Sequence, residues 1–402
     1  MRREFLKALA WGSLSAFSDL PEFLSASQPG QGRKIKGNMA YRRLGRTNLF
    51  ISEIALGGSP MPDWSLLREI IERGVNYIDS SSSYENGNAE RQVGRLAKEV
   101  GRDKIVVATK FHLRGNWNEA TIVRSVEGSL ARLDTDSIDV LCIHGASDED
   151  ELADERVLNA FEKLKKEGKF RFSGISCHSN HQRVVKKAVD CGRYDMVQLA
   201  YNVFDIVEPE KDVKTYEDYI GASGIRDLIA LAASRDVGVI AMKVLKIGGR
   251  RQNLEKYRAG ATSLYQAMLK WALENKNISS VVTEILNREQ MEEDLAAPQT
   301  PLSAKERNNL FRYVAEHSRD YCHMCGLCQA HCPSGIATTD ILRYLAYGES
   351  YGKKEAARSA YAALNPEQTA LGCRNCGTCE EICPYAVRVR RRTGEARAVL
   401  AG

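Results

Sequence analysis

The chain has 402 residues, of which 43% are hydrophobic and 27% are charged, and its mean hydropathy is −0.37. The 57 lysines and arginines only slightly outnumber the 52 aspartates and glutamates. This excess forms no long basic face that would predict nucleic-acid binding. The apolar content excludes a disordered chain, and no stretch is apolar and long enough to be an integral membrane span.

The N-terminus carries two adjacent arginines in M-R-R-E-F-L-K, followed by an apolar run from Ala8 to Phe17. This order is similar to a twin-arginine export signal. We therefore predict a signal and linker over residues 1–38, with export to the periplasm or the cell exterior. The alternative is a frayed helix or a misplaced start before Met39, and hence a cytoplasmic protein.

From about residue 52, short apolar runs rich in β-branched residues alternate with segments of helical periodicity. The runs predict eight strands, at 52–58, 77–81, 105–110, 139–144, 171–176, 196–201, 238–243 and 280–285. Runs of this kind are typical of strands buried on both faces. Eight such units predict an α/β fold, a (β/α)8 TIM barrel over residues 39–300. A doubly wound sheet is the alternative, but no G-x-G-x-x-G follows the first strand.

The pattern changes over residues 301–402, where a helix is predicted at 305–321 and a helical insert at 339–364. Eight of the eleven cysteines lie in this region, in two runs that share the spacing C-x2-C-x2-C-x3-C-P. The first run comprises Cys322, Cys325, Cys328 and Cys332, and the second comprises Cys373, Cys376, Cys379 and Cys383. Clustered thiols in a long chain indicate metal ligation rather than a disulfide framework. We therefore predict a C-terminal, mostly helical ferredoxin-like domain.

The spacing of both runs is that of bacterial two-cluster ferredoxins, in which the fourth cysteine of each run ligates the other cluster. We predict two 4Fe-4S clusters with crossed ligation. The ligands of one are Cys322, Cys325, Cys328 and Cys383, and those of the other are Cys373, Cys376, Cys379 and Cys332. The alternative is structural zinc, which would leave half of each run unexplained. His323 and His331 are predicted to be surface groups or to lie behind the ligands.

The reacting groups of a TIM barrel project from the C-terminal ends of its strands. The predicted ends and their loops carry Asp79, Tyr84, Lys110 and His144. Each residue alone has an ordinary structural explanation, such as a turn cap or a core histidine. Together, a phenol, an ammonium, a carboxylate and an imidazole fit carbonyl reduction.

Several segments of the chain resemble the aldo-keto reductases. In family order they include Y-I-D-S-S-S-S-Y, V-V-A-T-K, I-D-V-L-C-I-H, F-S-G-I-S, V-Q-L-A-Y-N and G-V-I-A-M-K. The cysteine region resembles the ferredoxin-carrying branch of that family. The resemblance implies hydride transfer between NADP or NAD and a small carbonyl or alcohol substrate. Tyr84 would then donate the proton, Lys110 would lower its pKa, Asp79 would hold that lysine, and His144 would orient the carbonyl.

The same resemblance places Ser176, Gln198 and Lys243 at cofactor-contacting or site-lining positions. The segment after the eighth strand lacks the Lys-Ser pair that many relatives use for the 2′-phosphate. Arg288 is the predicted substitute, and the alternative is that it is an arginine at the start of a helix. Cys177 stands where many relatives have an asparagine, and it is predicted to be a buried small residue. The alternative function is an iron-sulfur electron-transfer or partner-binding subunit with a catalytically inactive barrel. In both cases the clusters favour a redox protein as partner.

Overall fold

The structure is a computed structural model that describes residues 32–113, 115, 117–206, 224–245, 253–350 and 352–401. The twin-arginine motif and its apolar run therefore lie outside the described residues. Within these ranges the chain forms a small N-terminal sheet, a closed barrel and a helical C-terminal region. No helix among the described residues has the length and apolarity needed to cross a bilayer.

The N-terminal sheet has the antiparallel order β1 (Arg33–Lys36), β2 (Met39–Arg43) and β3 (Phe50–Ser52). Residues 33–36 lie in the predicted linker, yet they form a strand because Arg33 pairs with the Glu53 carboxylate at 2.7 Å. Arg42 pairs with the same carboxylate at 2.6 Å and donates to the carbonyl of Ile278 at 2.8 Å. These contacts therefore attach the N-terminal sheet to the barrel.

Eight parallel strands close into a barrel in the order β10-β11-β4-β5-β6-β7-β8-β9. The strands are β4 (Ile54–Gly57), β5 (Tyr77–Asp79), β6 (Val106–Phe111), β7 (Ile138–Ala146), β8 (Phe170–Cys177), β9 (Met196–Ala200), β10 (Gly238–Met242) and β11 (Ser280–Thr283). The predicted (β/α)8 fold is confirmed. Nearly every strand residue is buried, as the continuous apolar runs indicate.

Helices surround the strands and bury one apolar face against them. They are α1 (Trp64–Glu72), α2 (Asn88–Val100), α3 (Glu119–Leu133), α4 (Glu149–Leu152), α5 (Glu155–Lys166), α6 (His181–Asp190), α7 (Ile225–Ser234), α8 (Leu264–Glu274) and α9 (Arg288–Ala296). Side-chain caps define several starts, including Asp63 before α1 and Asn118 before α3, because their oxygens accept otherwise unpaired N–H groups.

The C-terminal region is helical, as predicted. Its helices are α10 (Ala304–His317), α11 (Leu327–Ala330), α12 (Thr338–Ser350), α13 (Lys354–Ala362), α14 (Thr378–Glu381) and α15 (Val389–Leu400). Helix α10 is joined to the barrel by a buried ion pair between Lys270 of α8 and Glu306, with 2.8 Å between Nζ and Oε1. Helices α12, α13 and α15 pack around a small core of their own that includes Ile341, Leu345 and Leu400.

The contact between α2 and α3 depends on a missing side chain. A Cβ at Gly94 would lie 2.0 Å from the carbonyl oxygen of Leu133, so the helices would have to separate. We expect Gly94→Ala to reduce stability by about 2 kcal/mol, the usual cost of overpacking. A Cβ at Gly128, on α3, would meet only the guanidinium end of the Arg132 side chain, at 3.2 Å, and no backbone atom, so Gly128→Ala is the matched control. Equal thermal midpoints for the two variants would contradict this account.

Candidate active site

The C-terminal ends of β5 and β6 bring a lysine and an aspartate together in the barrel interior. Lys110 Nζ lies 2.8 Å from Asp79 Oδ1 and donates to the carbonyl of Ser80 at 2.7 Å. Gln198 of β9 donates from Nε2 to the second oxygen of Asp79 at 3.0 Å. Both charged groups are almost fully buried. The carboxylate is thus held from two sides, and it fixes the lysine.

Tyr84 and His144 complete the group of four residues predicted from the sequence. Tyr84 begins the 3-10 helix Tyr84–Gly87, and its ring centroid is 4.8 Å from Lys110 Nζ. The ring of His144 stands edge-on to that of Tyr84, with centroids 5.5 Å apart. Nδ1 of His144 is 2.9 Å from the hydroxyl of Ser81. The structure therefore brings all four residues to one place at the barrel mouth.

The electrostatics of the pair Tyr84 and Lys110 differ in part from the expectation. Burial raises the pKa of Tyr84 above its usual value, the Lys110 ammonium opposes this increase, and the Asp79 carboxylate adds to it. Burial would lower the pKa of Lys110, but Asp79 and Tyr84 outweigh burial and raise it. The Lys110 ammonium by itself does lower the pKa of Tyr84, as expected, but the net shift is upward. The phenol as a whole holds its proton more tightly than a free tyrosine.

Two histidines that were not predicted also reach the mouth. The ring of His112 stacks on that of His144 with centroids 4.3 Å apart, and the ring of His178 lies 5.7 Å from His144. Burial and the nearby Lys243 lower the pKa of His178 far below its usual value, so its imidazole is neutral. Each of the two lies two residues after a predicted strand end. That position was the signal from which they could have been found.

The residues predicted to contact a nicotinamide cofactor divide into two groups. Ser176 of β8 and Gln198 of β9 are buried neighbours in the parallel ladder. Within the described part of the chain, Gln198 Oε1 is buried without a hydrogen-bond partner. This free acceptor fits the amide N–H of a nicotinamide ring. Arg288, in contrast, is exposed and pairs with Glu69 at 2.5 Å.

The first cysteine run and the last cysteine of the second run meet around one cavity of about 320 Å³. It is lined by Cys322, Cys325, Cys328 and Cys383, the predicted ligands of one cluster. Burial and the neighbouring thiols of four other cysteines raise the pKa of the Cys328 thiol. Four thiols around one cavity are the donor set that a 4Fe-4S cluster requires.

The second run repeats the backbone geometry of the first. Met324 and Asn375 both have φ of 55°, and each donates its N–H at 3.4 Å to the sulfur two residues earlier, in Cys322 and Cys373 respectively. The glycines that follow the second cysteine of each run are also in the left-handed region. Cys332 and Cys373 both pack against the small helical core. The two runs therefore share the same local backbone conformation.

His323 is not a surface group, because its ring stacks on that of Tyr385 with centroids 3.6 Å apart. Its Nδ1 is 3.4 Å from Asp205 Oδ1. His323 and Tyr385 line the cluster cavity on one side, and on the other side they line a second cavity of about 400 Å³. Lys243 and His178 of the barrel line this second cavity as well. The aromatic pair thus separates the cysteine site from the barrel mouth.

Two cysteines lie on the barrel strands, apart from the two cysteine runs. Cys142 and Cys177 are buried, and burial raises the pKa of each thiol to about 12. A thiol with so high a pKa is not a nucleophile at neutral pH. The prediction that Cys177 is a buried small side chain is confirmed, and Cys142 is buried in the same way.

Comparison with known proteins agrees with the two-part architecture. The Aldo/keto reductase family matches residues 63–259, and the 4Fe-4S dicluster domain matches residues 318–387. An uncharacterized oxidoreductase, YqkF of Bacillus subtilis (strain 168), is 29% identical over 285 residues, which cover 64% of this chain and 91% of that protein. L-galactose dehydrogenase of Arabidopsis thaliana is 26% identical over 293 residues, covering 64% and 87%.

Among solved structures, the holo form of the aldo-keto reductase AKR11C1 from Bacillus halodurans superposes with a TM-score of 0.52. It is 25% identical and covers 67% of this chain and 94% of that one. The chain therefore carries an aldo/keto reductase domain followed by a 4Fe-4S dicluster domain. These relationships support an NAD(P)-dependent oxidoreductase.

Proposed function

We propose that the barrel reduces small carbonyl compounds, or oxidises the corresponding alcohols, with NADP or NAD as the hydride carrier. The observation that carries this proposal is the convergence of Tyr84, Lys110, Asp79 and His144 at the barrel mouth. The unpartnered acceptor of Gln198 beside Asp79 supports a nicotinamide at the same place. Arg288 is not supported as a cofactor contact, because its guanidinium is paired with Glu69.

The four residues have separate roles in this proposal. Tyr84 donates its phenolic proton to the carbonyl oxygen, and His144, edge-on to the phenol, orients that oxygen with a hydrogen bond. Lys110 stabilises the phenolate that remains, and Asp79 keeps the ammonium charged and in place. A bound nicotinamide supplies the hydride. Ser176 and Gln198 would hold its amide.

For the C-terminal region we propose two 4Fe-4S clusters with crossed ligation, which pass single electrons to or from a redox partner. The cavity shared by Cys322, Cys325, Cys328 and Cys383 supports the first ligand set. The second set, Cys373, Cys376, Cys379 and Cys332, is supported by the repeated backbone geometry of the second run. Export by a twin-arginine pathway stays a prediction that rests on residues 1–38.

Removal of the Tyr84 hydroxyl tests the proposed proton donor. We expect Tyr84→Phe to lower kcat for aldehyde reduction by about 100-fold or more, the usual contribution of a general acid. NADPH binding, measured by fluorescence quenching, should be nearly unchanged. Tyr41→Phe is the control, since the Tyr41 hydroxyl donates to Gly74 away from the mouth. Near-normal turnover in Tyr84→Phe would exclude Tyr84 as the acid, and no turnover in the wild-type chain would favour the inactive-scaffold alternative.

The raised pKa of Tyr84 determines the expected pH dependence. Reduction needs the protonated phenol, and a phenol whose pKa is raised keeps its proton to higher pH. We expect kcat for a neutral aldehyde to be constant through neutral pH and to fall only above about pH 10, the pKa of a free tyrosine. Alcohol oxidation, which needs the phenolate, should rise over the same range. A reduction profile that falls with a midpoint below pH 8 would contradict this assignment.

Paired cysteine substitutions test the crossed ligation. The double variant Cys325→Ser with Cys383→Ser removes two ligands of one predicted cluster, so about four of about eight irons per chain should remain. The double variant Cys325→Ser with Cys332→Ser removes one ligand from each cluster and should leave far fewer. Anaerobic purification and iron analysis give the counts. If the two double variants keep the reverse proportions, each run binds its own cluster, and zinc in the wild-type chain would exclude both clusters.

A further inference from the structure

A helix of the cysteine-bearing region lies across the barrel mouth. The ring centroid of Tyr347, on α12, lies 5.6 Å from Lys243 Nζ. Tyr347 also contributes to the raised pKa of Tyr84. Arg343 lies one turn earlier on α12, so both side chains project from the same face of the helix. Lys353, just before α13, donates to the hydroxyl of Ser59 in the loop after β4 at 2.9 Å. The mouth therefore has one wall from the barrel and one from the C-terminal region.

Lys243, which follows β10, has no negatively charged partner among the residues of this wall that the structure describes. Its Nζ is 2.8 Å from Nδ1 of the neutral His178, and no carboxylate of the described residues lies within ion-pair distance. Burial and the neighbouring guanidinium of Arg343 lower the pKa of Lys243 to about 7. An amine in such a place loses hydration without gaining a counter-charge, and a bound anion would supply one.

The acidic residues nearby are already engaged. Asp79 pairs with Lys110, and Asp340 pairs with one end of Arg343. Asp205 faces His323 and accepts the N–H of Asn202. Arg343 nevertheless keeps one donor unused, since its Nε is buried without a hydrogen-bond partner among the described residues. Lys243 of the barrel and Arg343 of the C-terminal region therefore each have a hydrogen-bond donor or charge that a bound anion at this wall could pair with.

We propose that Lys243 and Arg343 together bind an anionic group of the substrate, so that the preferred substrates are short carbonyl compounds that carry a carboxylate. This inference rests on the proposed carbonyl reduction at Tyr84. His178 sets the distance between the two ends of such a molecule. Its ring lies 5.7 Å from that of His144, which orients the carbonyl, and it touches Lys243 directly. One imidazole therefore separates the carbonyl site from the anion site, which suits an oxo acid of a few carbons.

A matched pair of substrates tests the proposal. The probes are 4-oxobutanoate and its methyl ester, which differ in charge and share the aldehyde. We expect the wild-type chain to prefer the acid. Lys243→Met and Arg343→Met should raise KM for the acid by about tenfold or more, as loss of a charged hydrogen bond does, and should change KM for the ester far less than KM for the acid. Arg343→Lys should restore part of the loss, and Lys354→Met, at an exposed residue of α13, is the control.

Two further measurements separate the sources of failure. Binding of succinate, which has no aldehyde to reduce, is followed by calorimetry on the cluster-loaded chain. Succinate that binds to the wild type and binds at least about tenfold more weakly to both Met variants supports the anion site even if neither aldehyde is reduced, a result that would refute only the proposed reduction. Equal binding to all variants overturns the anion site. If the variants weaken NADPH binding and affect acid and ester alike, the anion is the phosphate of the cofactor and the proposal is wrong.

Discussion

The geometry of the mouth depends on one buried ion pair, between Lys110 and Asp79. Two charges inside a barrel are costly to desolvate, and an apolar pair of similar volume would often be at least as stable. The pair is tolerated because the Ser80 carbonyl and the Gln198 amide complete its hydrogen bonds. It joins β5, β6 and β9, and Tyr84 lies against the ammonium that it fixes. Its value is therefore the orientation of the phenol rather than stability.

The C-terminal region is asymmetric with respect to this site. Cys322, Cys325 and Cys383 pack against the main core, as does Cys379 of the second set, whereas Cys332 and Cys373 pack against the small helical core. Cys376 is exposed to solvent. If both proposed clusters form, one adjoins the barrel through the stacked His323 and Tyr385, and the other faces outward. Single electrons from a docked partner would then enter at the outer cluster and reach the barrel side through the inner one.

Local chemistry explains which features could be predicted from the sequence. Strand ends and cysteine spacing are encoded within a few residues, so Asp79, Lys110, His144 and the two cysteine runs were found without the structure. The strand Arg33–Lys36 could not be predicted, because its own sequence is polar and has no strand pattern. It is stabilised by an ion pair with Glu53, which lies about 20 residues further along the chain. Arg343 and Tyr347 could not be predicted, because their role depends on how α12 packs on a domain 100 residues earlier in the chain.

Hydride transfer moves two electrons together, whereas each cluster exchanges one, so the chemistry at Tyr84 does not itself require iron. The position of α12 gives the cysteine-bearing region a structural role near that chemistry, apart from electron transfer. The same region that holds the cysteines supplies the wall that faces Lys243, and its own apolar core holds α12, the helix that carries Arg343 and Tyr347. If this region takes its fold only with the proposed clusters bound, as small cysteine-rich metal domains do, a chain without clusters would keep Tyr84 and Lys110 but lose the second wall of the site.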